Sequence, residues 1–204
     1  TGNCYKMMSD GKPAERIRRR YRKLTGETSP YVDTWSFNRS MFETSILMET
    51  ENGMHKGLDY HVNDNVVGIL IKVYRYMGPT NIHSTHAISA VKINNVMYGF
   101  NAWGRRARKI DATIYKKLSK IYKCKQIIIY NGPSLQLGDK HGVCVGFAAN
   151  FITEMLVLNN KLNGSNIIEH FSTKNKFNTG IFETLSLSGK CFGEGLCALN
   201  LSAQ

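Results

Sequence analysis

Four residues of this chain, in the order His86, Asn101, Gln136 and Cys144, have side chains that together could break an amide bond. A cysteine nucleophile needs a base to remove its proton, and that base needs a partner that fixes its ring. The oxyanion that forms on the substrate needs hydrogen-bond donors. In such a site Cys144 attacks the carbonyl carbon, His86 takes the thiol proton and Asn101 fixes the imidazole tautomer. Gln136 and the backbone N–H of Cys144 then stabilise the oxyanion.

The predicted position of Cys144 suits a nucleophile. The segment 127–158 predicts a short buried strand, a loop rich in glycine, and an apolar helix that begins at Cys144. A thiol at a helix N-terminus lies against unpaired N–H groups and the positive end of the helix dipole, which lower its pKa. The simpler interpretation is a small buried side chain, because free cysteine is among the most buried residue types. Each of the other three residues likewise has an ordinary structural explanation.

His86 and Asn101 are predicted to lie together on a β-hairpin. Apolar and polar residues alternate in 86–93 and again in 96–100, and the two asparagines between them can adopt the positive φ of a primed turn. If the two residues that flank this turn face each other, His86 lies opposite Trp103 and is a diagonal neighbour of Asn101. Diagonal side chains on one face of a hairpin are within reach of each other.

The remaining pattern predicts an α+β fold in which a central mixed sheet packs against the helix that carries Cys144. Residues 66–77 are rich in β-branched and aromatic side chains and predict a long strand. A capping box of Ser40 and Glu43 indicates a helix start, and the Gly- and Ser-containing segment 180–204 predicts irregular or edge structure. Further helices are predicted at 13–24, at 40–49, from Asp111 or Thr113 as the cap to Tyr122, and at 165–171.

Length and composition fit one ordinary soluble domain that spans residues 1–204. The chain is 42% hydrophobic and 21% charged, and its length allows a sizeable core. No apolar run approaches the roughly 20 residues that cross a bilayer, and the start lacks a signal-peptide pattern. We therefore expect an intracellular protein without membrane association, and we expect a monomer.

The cysteines and histidines offer few alternatives to this site. Five cysteines without a CxxC pair give weak support to a disulfide or zinc framework and better suit a reducing compartment with one special thiol. His83 and His86 are three residues apart, but no second ligand pair at zinc spacing accompanies them, so no metal is predicted. His141, three residues before Cys144, is the second candidate for the base.

The net charge of +12 predicts a polyanionic partner. The basic residues include two runs, one in the first predicted helix and one directly after the hairpin. The runs contain no obvious base-reading motif, so we expect nucleic acid binding without sequence preference. The alternative is that they only keep the surface solvated. The candidate nucleic-acid contacts are Arg16, Arg18, Arg19, Arg20, Arg105, Arg106, Arg108 and Lys109.

The order and context of these segments resemble the adenovirus maturation protease and the related cysteine proteases of large DNA viruses and of ubiquitin-like modifiers. Three segments carry the resemblance: HAISAVKI at 86–93, YGFNAWG at 98–104 and LQLGDKHGVCVGFAANFI at 135–152. In that family the order along the chain is His, then Asp, Glu or Asn, then Gln, then Cys. Two departures are Ala87, where the family usually has Trp, and Val145, where it usually has Gly.

This resemblance implies a papain-like, adenain-like cysteine protease. Its implied triad is Cys144, His86 and Asn101, with Gln136 in the oxyanion hole and no metal cofactor. It further implies viral precursor or capsid proteins as substrates, a role in virion maturation inside the host cell, and nucleic acid as an activator. Two alternatives stay open: a deubiquitinase or SUMO-directed protease, and a non-enzymatic basic protein that binds nucleic acid.

Overall fold

The computed structural model describes residues 12–38, 46–49, 63–76, 82–130, 134–135, 143–162, 190–191 and 196–199. These residues form one eight-stranded sheet with helices on both faces. The strands are β1 Tyr31–Asn38, β2 Ile46–Glu49, β3 Val66–Tyr76, β4 Ile82–Ile93, β5 Val96–Phe100, β6 Gln126–Tyr130, β7 Lys190–Cys191 and β8 Leu196–Leu199. The helices are α1 Lys12–Thr25, α2 Arg108–Ile121 and α3 Val143–Leu162, and a 3-10 helix at Gly104–Ala107 precedes α2.

The sheet is mixed, with strand order β2-β1-β3-β4-β5-β6-β8-β7. The pairs β1/β3 and β5/β6 are parallel, and the other neighbouring strands are antiparallel. Parallel neighbours need a crossover connection, and α2 is part of the crossover between β5 and β6. The predicted α+β class and central mixed sheet are therefore confirmed.

The alternation of side chains along the strands separates two layers of helices. Val67 and Ile69 of β3 face the side covered by α2, where they pack in one cluster with Ile114 and Leu118. Leu70 faces the opposite side and packs in the cluster that contains α1 and α3. Within that layer α3 contacts β3 and β4, and α1 contacts α3 and β1.

Two strand glycines allow the helices to approach the sheet closely. A Cβ atom at Gly68 would lie 2.7 Å from Cγ2 of Ile152 on α3. A Cβ atom at Gly99 would lie 2.6 Å from ring atoms of Tyr115 on α2. Both distances are far shorter than van der Waals contact, so each helix sits where only a residue without a side chain fits beneath it.

The predicted hairpin is confirmed. β4 and β5 pair antiparallel with Ile93 opposite Val96 and Ser89 opposite Phe100, which is the register that the sequence predicts. Only the first of the two turn residues, Asn94, has a positive φ, of 53°. The predicted helix at 13–24 and the predicted strand at 66–77 are also confirmed, by α1 and β3.

Two predictions of secondary structure are wrong. Residues 46–49 form β2 on the sheet edge, not the end of a helix at 40–49, because pairing with β1 outweighs the local capping signal. The second helix begins at Arg108, and its N-cap, Ala107, makes no side-chain capping bond. The chain enters this helix through the preceding 3-10 turn, so neither Asp111 nor Thr113 is its cap.

Two predictions concern the C-terminal part of the chain. The helix predicted at 165–171 lies outside the described residues. Within 180–204 the described residues are β7 and β8: β7 is an edge strand of the sheet, as predicted, whereas β8 is an inner strand between β6 and β7, which the prediction missed. Among the described helices, none is long and apolar enough to span a bilayer.

Candidate active site

His86 and Asn101 meet where the hairpin opens, as the register predicts. The Nε2 atom of His86 lies 2.8 Å from Oδ1 of Asn101. Both side chains are buried, with 5% and 3% of their surface exposed. β5 ends at Phe100, so Asn101 is the first residue beyond the strand and its side chain is a diagonal neighbour of His86.

The hydrogen bonds of Asn101 fix which ring nitrogen of His86 carries the proton. The backbone N–H of Trp103 donates to Oδ1 of Asn101 over 2.9 Å, and a backbone N–H can only donate. Nδ2 of Asn101 donates to the carboxylate of Asp111 over 2.9 Å. The atom that faces His86 is therefore an acceptor, so Nε2 of His86 donates to it and carries the proton of the neutral ring.

Asp111 is a member of this site that the sequence did not indicate as one. It lies in α2 and only 2% of its surface is exposed. Its charge also acts on the next turn of α2, where burial, and secondly the carboxylate of Asp111, raise the pKa of Tyr115 well above its ordinary value. The spacing of ten residues from Asn101 is not a recognised motif, so sequence patterns alone gave no signal for it.

Trp103 covers one face of the His86 ring. The two rings are stacked, with centroids 3.8 Å apart and planes inclined by 9°. The predicted opposition of these two residues is thus realised as ring stacking. A tryptophan face shields the imidazole from water and attracts it when it is protonated.

The turn after Asn101 also anchors the loop that leads towards Gln136. Gly104 has a positive φ of 59°, which favours glycine, and its N–H donates to the Asn101 carbonyl over 2.9 Å. The N–H of Leu135 donates to the carbonyl of Ala102 over 2.8 Å. The residue before Gln136 is therefore bound to the residue after Asn101, while Gln136 and His141 lie outside the described residues.

Cys144 is the second residue of α3 and is buried, with 2% of its surface exposed. It belongs to the same buried cluster as Ala87, Phe100 and Ala102. All three are direct chain neighbours of His86 or Asn101, so Cys144 shares a buried cluster with residues beside the histidine and the asparagine. The predicted start of the helix at Cys144 is correct to within one residue.

The sulfur of Cys144 forms a disulfide in this structure. Its partner is not among the described side chains. Cys124, in contrast, is a half-buried free thiol, and burial raises its pKa to about 11. The cysteine pattern favoured free thiols, whereas the structure holds the candidate nucleophile in oxidised form, and this sulfur must be reduced before it can attack a carbonyl.

His86 and Cys144 approach the hairpin from different faces of the sheet. His86 is paired with Val73, which belongs to the cluster on the α2 side. Cys144 belongs to the cluster on the α3 side. The structure therefore joins His86, Asn101 and Asp111 on one face and places Cys144 in the buried cluster on the other face.

The candidate nucleic-acid contacts lie on α1 and on the 3-10 helix. α1 buries Ala14, Ile17 and Tyr21, and its basic residues lie on the remaining surface. Arg16, Arg19, Arg20, Arg105 and Arg106 are exposed and Arg18 is half-buried. The side chains of Arg108 and Lys109 are outside the described part.

Two of these arginines have partners on the surface of the protein. Arg19 forms an ion pair with Glu15 at 3.1 Å, and Arg20 donates to Asn150 of α3 over 3.4 Å. Exposed contacts of this kind contribute little to stability, so both guanidinium groups remain open to a polyanion.

Comparisons with known proteins add no further constraint. No protein-family model, no curated protein and no solved structure matches this chain.

Proposed function

We propose that this protein is a cysteine endopeptidase similar to the adenovirus maturation protease, with viral precursor or capsid proteins as substrates. One observation carries the proposal: the 2.8 Å bond between Nε2 of His86 and Oδ1 of Asn101. A general base needs one ring nitrogen fixed by a partner and the other available for the proton. The buried amide supplies the fixing partner, at the position to which the family resemblance assigns it.

In this mechanism reduced Cys144 is the nucleophile. Nδ1 of His86 takes the thiol proton, and the thiolate attacks the carbonyl carbon of the scissile peptide. Gln136 and the N–H of Cys144 stabilise the oxyanion. The imidazolium then gives its proton to the leaving amine, a thioester remains on Cys144, and water hydrolyses it to release the acid and the thiol.

In this proposal the two halves of the site meet around the end of β5. The register between β4 and β5 ends at the pair of Ser89 and Phe100, so β5 does not flank the part of β4 that carries His86. Cys144 lies in the first turn of α3 and in one cluster with Ala87 and Ala102. The sulfur of Cys144 is oxidised in this structure. We expect reduction of the disulfide to release the thiol so that it can approach His86, and we therefore expect activity to require a reductant.

Covalent capture of Cys144 tests the proposal. The protein is reduced with a phosphine, incubated at pH 6 with a peptide vinyl sulfone, and mapped by mass spectrometry. We expect an adduct at Cys144 and none at Cys124, since burial raises the pKa of Cys124 to about 11 and leaves it a neutral thiol. His86→Ala should slow capture about a hundredfold or more. Equal labelling of all five cysteines would exclude Cys144 as the nucleophile.

A second candidate function is nucleic acid binding, favoured by the exposed arginines of α1 and of the 3-10 helix. Arg16, Arg19, Arg20, Arg105 and Arg106 are all exposed, and the chain carries a net charge of +12. Phosphate contacts from such residues bind without sequence preference. In the first function nucleic acid would be an activator of the protease, and in the alternative it would be the only ligand.

The protease alternatives differ in substrate. A ubiquitin or SUMO vinyl sulfone, compared with the short peptide probe under the same conditions, separates a deubiquitinase or SUMO-directed enzyme from a maturation protease. Preferential capture of the modifier would transfer the proposal to the first class. Equal or better capture of the short peptide supports the second.

A further inference from the structure

We propose that Asp111 is a positioning residue for His86, acting through the Asn101 amide, so that the base is held by a chain of two side chains. The inference rests on the proposed function and adds a residue to its site. The carboxylate of Asp111 fixes the orientation of the Asn101 amide, and the amide oxygen fixes the tautomer of the His86 imidazole.

The two bonds that flank the Asn101 amide determine its orientation. Oδ1 accepts from the backbone N–H of Trp103, and Nδ2 donates to Asp111, both over 2.9 Å. Rotating the amide by half a turn would place its NH2 group against the N–H of Trp103 and its oxygen against the carboxylate. Both contacts would then be repulsive and unbonded in a buried site, which is costly.

The charge of Asp111 has a second effect. When His86 takes the thiol proton it becomes an imidazolium, and a nearby negative charge favours that form. Burying a carboxylate costs free energy unless the group is hydrogen-bonded, and only 2% of the Asp111 surface is exposed. The hydrogen bond to Asn101 holds this charge one side chain away from the imidazole ring.

Among the described residues, the other groups near these two hydrogen bonds are uncharged or exposed. Val73, directly opposite His86 on β3, carries no charge. Tyr115, one turn after Asp111, stays neutral because burial and the carboxylate raise its pKa. Arg105 and Arg106 are exposed, so solvent screens their charges. Among the described groups that face the chain, Asp111 is the one whose charge is both buried and bonded to it.

Nitrogen NMR of the His86 ring tests the inference without any turnover. In the reduced wild-type protein the neutral ring should carry its proton on Nε2. Asp111→Asn keeps an acceptor for Asn101 and removes the charge, so the tautomer should persist while the proton affinity of His86 falls about tenfold. Asp111→Ala removes the acceptor, so the Nδ1–H tautomer should appear. Glu154→Gln, which removes one charge from α3, is the matched control and should change neither quantity.

Peptide hydrolysis by the same variants measures the consequence for catalysis. We expect kcat to fall about tenfold for Asp111→Asn and about a hundredfold for Asp111→Ala, with KM little changed, since part of the general-base contribution is lost. The double variant Asn101→Asp with Asp111→Asn exchanges the amide and the carboxylate. The hydrogen bond between positions 101 and 111 then runs in the opposite direction, and the bond from His86 to position 101 is kept. The double variant should recover most of the activity that Asn101→Asp alone loses, because that single change places two carboxylates in contact.

The outcomes separate this inference from the proposed function. An unchanged tautomer and proton affinity in folded Asp111→Ala would overturn the role of Asp111 even if Cys144 is captured normally. If Asp111→Ala does not fold, unchanged proton affinity in Asp111→Asn would overturn the effect of the charge, and failure of the exchange variant would overturn the effect on orientation. Absence of capture at Cys144, with the tautomer behaving as predicted, would overturn the protease and leave the chain of bonds standing.

Discussion

Replacing Gly99 by alanine should loosen the contact between β5 and α2 and thereby disturb the base. The new Cβ atom would lie 2.6 Å from two ring atoms of Tyr115, whereas ordinary contact begins at 3.4 Å. The ring cannot rotate away freely, because it is fully buried and its hydroxyl donates to the Ser89 carbonyl over 3.0 Å. β5 and α2 must therefore separate by about 0.8 Å, the difference between 3.4 Å and 2.6 Å, because a close-packed core leaves no space for the added atom.

The cost can be estimated from the contacts that this separation strains. Overpacking of a buried site costs about 1–3 kcal/mol. Weakening the bond from Tyr115 to Ser89 adds up to about 1 kcal/mol, and weakening the charged bond from Asn101 to Asp111 adds about 1–2 kcal/mol. We therefore expect Gly99→Ala to lower the free energy of unfolding by about 2–6 kcal/mol, a large part of a typical stability of about 5–15 kcal/mol.

Urea denaturation measures this change, and two further variants control it. Gly146→Ala places a Cβ atom on an exposed helical position with nothing within 4 Å, so stability should stay equal or rise by up to about 1 kcal/mol. Tyr115→Leu removes the ring atoms, so Gly99→Ala should cost at least about 1 kcal/mol less in that background. A Gly99→Ala protein within about 0.5 kcal/mol of wild type would refute the reasoning.

Three further predictions concern turnover, charge and alkaline pH. Gln136→Ala should lower kcat about a hundredfold, or roughly 3 kcal/mol, with little change in KM; undiminished turnover in a steady-state assay would remove Gln136 from the site. Arg105→Glu with Arg106→Glu should flatten the salt dependence of duplex binding measured by fluorescence anisotropy, whereas Lys120→Glu with Lys125→Glu, two exposed residues elsewhere on the surface, is the charge-matched control; no binding by the wild type at about 50 mM salt would exclude the nucleic-acid partner. Burial raises the pKa of Tyr98 to about 12, so the folded protein retains a proton that the unfolded chain loses near pH 10, and the contribution of Tyr98 to stability should be present below pH 10 and be lost above it. In urea unfolding at pH 11, Tyr98→Phe should remove about 1.4 kcal/mol of that loss, and an equal loss in both proteins would contradict the assignment.

The hairpin and its polar pair could be predicted because a two-residue turn fixes the register. Once Ile93 faces Val96, the alternation of the strands determines which residues share a face. The 2.8 Å contact between His86 and Asn101 follows from counting along two strands. The same holds for α3, whose apolar stripe and glycine-rich approach place Cys144 at its first turn.

Asp111 could not be found in this way, because its contact depends on how α2 packs against the sheet. A sequence pattern gives the faces of a helix but not its rotation and position over the strands. Asp111 also carries a local signal for a helix cap, which competes with its actual role as a buried acceptor. The disulfide at Cys144 depends on the three-dimensional position of two sulfurs, which spacing along the chain does not define.

The two halves of the candidate site are held by helices on opposite faces, so they can be disturbed separately. Gly99 lies under α2, which carries Asp111, and Gly68 lies under α3, which carries Cys144. A Cβ atom at Gly68 would lie 2.7 Å from Cγ2 of Ile152, so Gly68→Ala must displace α3. We expect Gly68→Ala to change the rate of Cys144 alkylation in the reduced protein and to leave the His86 tautomer intact.

Gly99→Ala should do the reverse, because it displaces the helix that orients Asn101 and leaves α3 on its own face. Both variants are destabilised, so loss of stability alone cannot produce opposite patterns in the two measurements. Nitrogen NMR of His86 and mass-spectrometric alkylation of Cys144, made on the same two samples below their unfolding transitions, decide between separate and common supports. If each variant changed both readouts equally, the base and the nucleophile would depend on a single packing unit, and the assignment of one half of the site to each face of the sheet would be wrong.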